Sequence, residues 1–561
     1  MEKKVLLTVL SAIFVVAGCL GLSSCKKNSQ ALDTPSNIKM ENRVLTWDAV
    51  ENANEYILLI NGKEYTVTEP RIELYTIIKE GEFHLKLMAG GDGETYEDSS
   101  WATSSFTLEA PVEHGFDEEG FEYTFLEDGS GYEVAKGTAN LEGFVSIPDY
   151  FDGYPVVRIA YKGFSPDIPG DAIASDVIMD TQCNHITTGI KLPGFLCTIG
   201  FQAFENILYV EELHIPSTVT EIGGGAFWGQ MNLKSIVIPD GIKEIPSGCF
   251  ECTGLEKVVL PEGLERIGTS AFSCGYYGVG RNHIPSRLSE IVIPDSVTHI
   301  EKFAFQGREN LEKVIMSKNL EFIGAETFAD TAWLAEQNGL VYFNDSLLYT
   351  YAGEIPEDTE LALPNKTTYI ADKAFKGQKK LKKVFIPDGV QLGLNAFQGC
   401  KALTEVRLPA DLTEIPSHAF SGTNLERVTI PQNVKVISTH AFAHCKNLKE
   451  VVLNEGLEFI DDSAFRRDSA LTSVRFPSTL KGIGRIAFQD CDALTEIVFE
   501  KTDGWADYVI GCENDVKIAV PQNSGVTPME DVTLLTKYNA ENYFWFRGDA
   551  DEAIKYLEYL T

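Results

Sequence analysis

Basic side chains are scarce, with 47 Lys and Arg against 82 Asp and Glu, and the formal charge is −35. So acidic a chain repels phosphate backbones and anionic surfaces at long range, which argues against nucleic acid as a partner. Long apolar runs are missing beyond the N-terminus, where nothing approaches the roughly 20 residues that span a bilayer. Signatures of catalysis are missing too: there is no Gly-x-Ser-x-Gly elbow, Walker loop, His-Glu-x-x-His segment or EF-hand loop. No catalytic residue, metal ligand or cofactor site is therefore assigned, and no enzyme is expected. Cysteine occupies 11 of 561 positions without the spacing of a disulfide framework.

What is present suits a folded chain, with 44% hydrophobic and 11% aromatic residues. A length of 561 residues exceeds one compact core, so several domains or growth by repetition are expected. Residues 1–25 read as an export signal: Glu2, Lys3 and Lys4 precede the apolar run Val5 to Val16. Val16-Ala17-Gly18-Cys19 and Leu22-Ser23-Ser24-Cys25 both fit a lipoprotein processing site, so either Cys19 or Cys25 would carry the lipid. The polar stretch that starts at Lys26 favours Cys25, whereas the small residue before Cys19 and a tidier apolar region favour Cys19. The membrane is then a partner only through that anchor.

A linker is expected over 26–33, followed by a small all-β sandwich over 34–110. Val44-Leu45-Thr46-Trp47 and Tyr56 to Ile60 are strand-like, and Asn61-Gly62 is a type I′ hairpin signal before Glu64 to Val67. The stretch TWDAVENANEYILLINGKEY resembles the early strands of fibronectin type III-like domains. The resemblance implies a spacer module in which Trp47 and Tyr56 pack two sheets together.

From Phe121 the sequence repeats. Ala-Phe or a similar pair recurs with its phenylalanine at 204, 227, 250, 272, 305, 328, 375, 397, 420, 442, 465 and 488. The steps are 22 or 23 residues except for two long ones, which mark insertions. Within each period the frame is constant, as in Leu255-Glu-Lys-Val258-Val-Leu260-Pro261 followed by Leu264, Ile267 and Phe272. Leucine and the two later apolar residues point inward, and proline, which has no N–H to donate, ends each strand at one place. The chain is thus expected to be mainly β, a leucine-rich-repeat solenoid of about 23-residue units over 121–525, with a cap over 526–561 that includes a helix from Asp549 to Leu560.

The consensus LxxIxIPxxLxxIgxxAFxxC resembles the BspA-like class of bacterial surface leucine-rich repeats. That resemblance covers about 400 residues and implies a cell-surface adhesion or protein-binding module. The expected partner is an extracellular protein or, as the alternative, a glycan captured for nutrient uptake.

Several constellations invite chemistry and are better explained by the repeat. Cys400, Cys445 and Cys491 each lie three residues after a repeat phenylalanine, so they read as one buried column. Cys249-Phe250-Glu251-Cys252 has redox spacing, yet Cys249 merely replaces the alanine of the Ala-Phe pair. His440 and His444 would suit a metal only on a helix, and the repeat turn lies between them. Arg547-Gly548-Asp549 is a three-residue match to an integrin-binding motif, too short to carry a function.

Two surfaces are candidates for a ligand. On the strand face, outward residues vary, and Phe385, Arg407, Arg427 and Arg475 have the side chains that dominate interface hot spots. The inserts contribute Tyr276 and Tyr277 from the stretch 273–287, and Trp333 from the stretch 330–360.

Overall fold

The computed structural model describes residues 29–555 apart from 42, 76, 79, 166–186, 208, 275–285, 514–515, 522–542, 549–551 and 554. Cys19 and Cys25, with the export segment, and Tyr276 and Tyr277 lie outside the described residues. Two units divide the chain: Met1–Glu113 with Asp152–Tyr154, and His114–Phe151 with Pro155–Thr561.

The first unit holds two antiparallel sheets around one core. Glu55–Ile60 pairs with Lys63–Val67 on one side and Gly81–Gly90 on the other, and Gly81–Gly90 also pairs with Ala102–Leu108. Val44–Thr46 lies between Lys39–Glu41 and Arg71–Glu73. Alternation sends Tyr56, Leu58 and Ile60 inward. Trp47 meets Tyr56 edge-on at 5.3 Å inside the core shared by both sheets. Asn61 and Gly62 have φ of 47° and 82°, as a type I′ turn requires. Of the linker expected over 26–33, residues 29–33 are described. Gln30–Ala31 pairs in parallel with Tyr96–Glu97, and the apolar Leu32 is buried in the core of this unit.

The second unit is a solenoid with two rows of short parallel strands, each row hydrogen-bonded as several sheets in succession and called the first and the second sheet. One contains the expected strands of the Leu-x-x-Ile-x-Ile-Pro frame, such as Ser235–Val237, Lys257–Val259, Glu405–Arg407 and Arg427–Thr429. The other was not foreseen: two-residue strands at the next Ile or Leu, including Glu244–Ile245, Arg266–Ile267, His299–Ile300 and Phe322–Ile323, pair in parallel from coil to coil. Proline does more than end a strand. Its carbonyl accepts the N–H three residues on, as in Ile242 to Pro239 at 3.1 Å and Val434 to Pro431 at 3.1 Å, so it opens the turn between the sheets.

The repeat phenylalanines form a stacked column. Phe204, Phe227, Phe250, Phe272, Phe305 and Phe328 follow one another at centroid distances of 5.8, 5.2, 5.3, 5.3 and 5.4 Å, all within 9° of parallel. A second run joins Phe375, Phe397, Phe420, Phe442, Phe465 and Phe488. Between the runs, the insert hairpin Gly339–Phe343 with Leu347–Ala352 carries the column across: Tyr349 packs edge-on to Phe328 and Tyr351 packs on Phe375. Residues two before and two after the column phenylalanine adopt left-handed backbone, as at His418, His440, His444, Ser463 and Arg467.

Antiparallel strands close both ends of this unit. His114–Phe116, Glu122–Phe125 and Tyr132–Ala135 form a meander whose last strand pairs in parallel with Tyr154–Ile159, so the unit starts before the expected residue 121. At the other end Tyr543–Arg547 pairs antiparallel with Gly482–Ile483 and with Trp505–Glu513, so antiparallel pairing sets in before the boundary expected at 525. Glu552, Ala553 and Lys555 are helical; the rest of the helix expected over 549–560 lies outside the described residues.

Candidate functional site

A short strand with inward residues at the first, fourth and sixth places of its frame leaves three places facing solvent, and stacking turns each into a column across coils. The column four residues before the proline alternates in charge. Lys313 pairs with Glu290 at 2.6 Å, Lys383 lies 3.2 Å from both Glu360 and Glu405, and Arg427 lies 3.3 Å from Glu450. The bond to Glu360, and then that to Glu405, raises the Lys383 pKa above its ordinary value. Such exposed pairs contribute little to stability, but they neutralise the column.

The column two residues before the proline differs. In four successive coils it holds Val237, Val259, Val292 and Ile315, which are 61, 40, 50 and 43% exposed. Val237 stands beside Val259 and Val292 beside Ile315 in register. With strands about 4.8 Å apart, this stripe is roughly 15 Å long. A signal for it existed in the sequence: Leu288-Ser-Glu-Ile291-Val292-Ile293-Pro294 keeps the repeat frame, so its outward residue aligns with Val237 and Val259.

Further along the same face lie the residues singled out from sequence. Phe385 is half-buried and abreast of the exposed Arg407. Each of the three arginines has a carboxylate: Arg407 faces Asp388 at 3.8 Å, Arg427 faces Glu450, and Arg475 faces Glu500. Phe385 and Arg407 therefore adjoin, while Arg427 and Arg475 stand in separate coils with their charge already met. Trp333 sits on the helix Ala332–Ala335, capped by Thr331, and is half-buried against Phe328 at 5.1 Å and Phe343 at 5.8 Å. It plugs the break in the phenylalanine column.

The second sheet has a surface of its own. Its outward places hold His299, Phe322 and Tyr369 in sequence, with ring centroids 6.0 Å apart at each step. They lead to a groove of about 610 Å³ lined by Phe322, Tyr369, Asp372, Gln391, Leu394 and Glu414 among others. Burial raises the pKa of both Tyr369 and Asp372, the latter against a hydrogen bond from the Leu394 N–H at 2.7 Å. An aromatic wall with a few fixed polar groups is the general make-up of a small-ligand cleft.

The cysteines and histidines take places the repeat dictates. Cys400, Cys445 and Cys491 are fully buried, and each thiol donates to the carbonyl of the preceding column phenylalanine at 3.1–3.2 Å. Burial pushes the thiols up, that of Cys400 to about 12, which makes them inert. Cys249 and Cys252 are also buried. His440 and His444 have φ of 57° and 64°, so they flank a turn and share no helical face.

Comparisons with known proteins agree with this architecture. The family model described as BspA type Leucine rich repeat region matches residues 180–277, 282–346, 349–394 and 368–495. No curated protein matches the chain. Among solved structures, a leucine rich cell surface protein from Faecalibacterium prausnitzii A2-165 is 23% identical, covers 70% of this chain and 96% of its own, and has a TM-score of 0.35. A leucine-rich repeat protein from Bacteroides ovatus ATCC 8483 is 25% identical, covering 68% and 94%, with a TM-score of 0.30. The pneumococcal vaccine antigen PcpA is 18% identical, covering 70% and 100%, with a TM-score of 0.33. The family match extends over more than half of the sequence and over the coils that build both parallel sheets, and the chain belongs to the proteins with BspA type leucine-rich repeats.

Proposed function

We propose that this chain is a bacterial surface lipoprotein, anchored through Cys25 or Cys19, whose solenoid binds an extracellular protein on the outer face of its first sheet. The fibronectin type III-like reading of the first unit gives it the part of a spacer. The observation that carries the proposal is the exposed stripe of Val237, Val259, Val292 and Ile315. Exposed β-branched residues on a regular face favour a partner that covers them, and the charge-neutral column beside them supplies a polar rim. Phe385 and Arg407 extend the same face toward a second contact. The acidic net charge steers basic surfaces toward it.

A second reading, capture of a glycan, is favoured by the aromatic row and groove of the second sheet. Sugar rings would stack on Phe322 and Tyr369, with Gln391 and Glu414 as polar contacts. One experiment separates the two: the full mature chain is passed over immobilised extracellular matrix proteins and over a glycan array. Loss of matrix binding in the double variant Val259→Glu, Val292→Glu supports the first reading. Loss of glycan binding in Tyr369→Ala supports the second, and retention of both signals in both variants rejects both surfaces.

A further inference from the structure

We infer that the cavity between the coils of Phe442, Phe465 and Phe488 is a binding site for a small oxyanion: a carboxylate, sulfate or phosphate group. The cavity measures about 310 Å³, and its walls include His440, Asp462, Arg466, Arg485 and Ile486. It lies on the turn edge of the solenoid, away from both sheet faces. Its walls include the equivalent left-handed residue of three successive coils, His440, Ser463 and Ile486, with φ of 57°, 58° and 48°.

The charges in the recess are unequally committed. Arg485 is held by Asp462, which accepts from the Arg485 backbone N–H and from its Nε, both at 2.6 Å. Arg466 forms no ion pair among the described residues, and its Nε is buried without a hydrogen-bond partner. The Nδ1 of His440, from the neighbouring coil, is likewise buried and unpartnered. The buried Nε–H of Arg466, left unmade, is costly, and an acceptor that enters the cavity recovers that cost. Two arginines against one aspartate leave a local excess of one positive charge in a chain of net charge −35. His418 stacked on His440 at 4.6 Å, and His444 beyond, add no negative charge.

Two of the backbone amides at the walls are already used: the His440 N–H donates to the Asp462 carbonyl at 3.0 Å and the Ser463 N–H to the Arg485 carbonyl at 2.9 Å. A planar guanidinium with free donors prefers an oxyanion with paired oxygens to chloride.

The test is equilibrium dialysis of the full chain against radiolabelled sulfate, with chloride holding the ionic strength constant. One saturable site is expected, weakened roughly tenfold or more in Arg466→Gln. Arg467→Gln, whose parent side chain already pairs with Asp490 at 3.2 Å, should bind as the parent does. Displacement by glucuronate but not glucose would assign the site to a sugar-borne carboxylate; displacement by neither would assign it to the inorganic ion. The absence of a saturable site, or its persistence in Arg466→Gln, overturns the inference. Should circular dichroism show Arg466→Gln unfolded, Ile486→Glu decides: a carboxylate at the wall must abolish binding, and unchanged binding overturns the inference.

Discussion

The side chain three residues after each column phenylalanine shows how a repeat satisfies its own backbone. Gln230 Nε2, Thr253 Oγ1, Thr423 Oγ1 and the three thiols all donate to phenylalanine carbonyls, several of which, as at Phe375, Phe420 and Phe465, also accept a backbone N–H from their own turn. Arg308 is the extreme member of the column. Fully buried, it donates through Nε to Phe272 at 2.5 Å, through Nη1 to the Thr253 carbonyl at 2.6 Å, and through Nη2 to Phe250 at 3.2 Å. It bridges the coil that carries the insert after Phe272. Replacing Arg308 with alanine strands the buried carbonyls of Phe272 and Thr253, leaves that of Phe250 to Thr253 Oγ1 alone, and opens a void, so urea unfolding should show a loss of about 3–5 kcal/mol; a loss below about 1 kcal/mol would contradict this bridging role.

Asp468 occupies the same column and is also fully buried. Its Oδ1 accepts the Cys445 N–H at 2.8 Å, while Oδ2 is left without a partner. Burial pushes its pKa well above the ordinary carboxylate value. The folded chain therefore keeps a proton that the unfolded chain loses near pH ~3.9, and stability falls as pH rises from there toward the folded pKa. Asp468→Asn removes that dependence. It should match the parent below about pH 4 and exceed it by about 1–3 kcal/mol at pH 7. Thermal melts at the two pH values check this, and a parent that gains on the variant with rising pH contradicts it.

At the scale of the element, the two-residue strands of the second sheet have almost no stability alone. They exist because each coil's phenylalanine, inward leucine and inward isoleucine are covered by the next coil. Phe397 lies 4.9 Å from Phe375 and 5.4 Å from Phe420, with no exposed surface. Phe397→Ala should cost about 3–5 kcal/mol, read as a lower melting temperature by circular dichroism. Sulfate binding and the sheet face should be unaffected, since neither touches that ring. The sequence spacing of 22 to 23 identified this column and the first sheet. The second sheet is not legible along the chain because strands of two residues are too short to show an alternation.

For the solenoid as a whole, the ends decide solubility. A parallel stack exposes a strand edge and a disc of apolar side chains at each end, which invites association with another chain. Here Trp545 of the strand Tyr543–Arg547, abreast of the inward Ile483, and Trp505 join the core of the last coils, while Phe546 stacks on Phe459 at 6.5 Å. Arg547 fastens that strand by donating to the Ser478 carbonyl at 2.8 Å, which gives the arginine of the Arg-Gly-Asp triplet a structural task. Truncation after residue 542 should leave the coils folded and the end open. Light scattering is expected to show self-association, and a monodisperse product would contradict the capping role.

Period, composition and the inward frame determined that this chain is mainly β, that it stacks coils, and which phenylalanines, leucines and cysteines lie inside. Those features are local and repeat, so a single unit states them. Tertiary structure decided what depends on neighbouring coils: that Val292 continues the line of Val237 and Val259, that Arg407, Arg427 and Arg475 are met by carboxylates, and that Trp333 faces the core. It also brought Arg466 and His440 together from different coils. Stacking sets residues 22 or 23 apart side by side, and a chain read along its length does not show which side chains, once abreast, find partners and which are left exposed or unpaired.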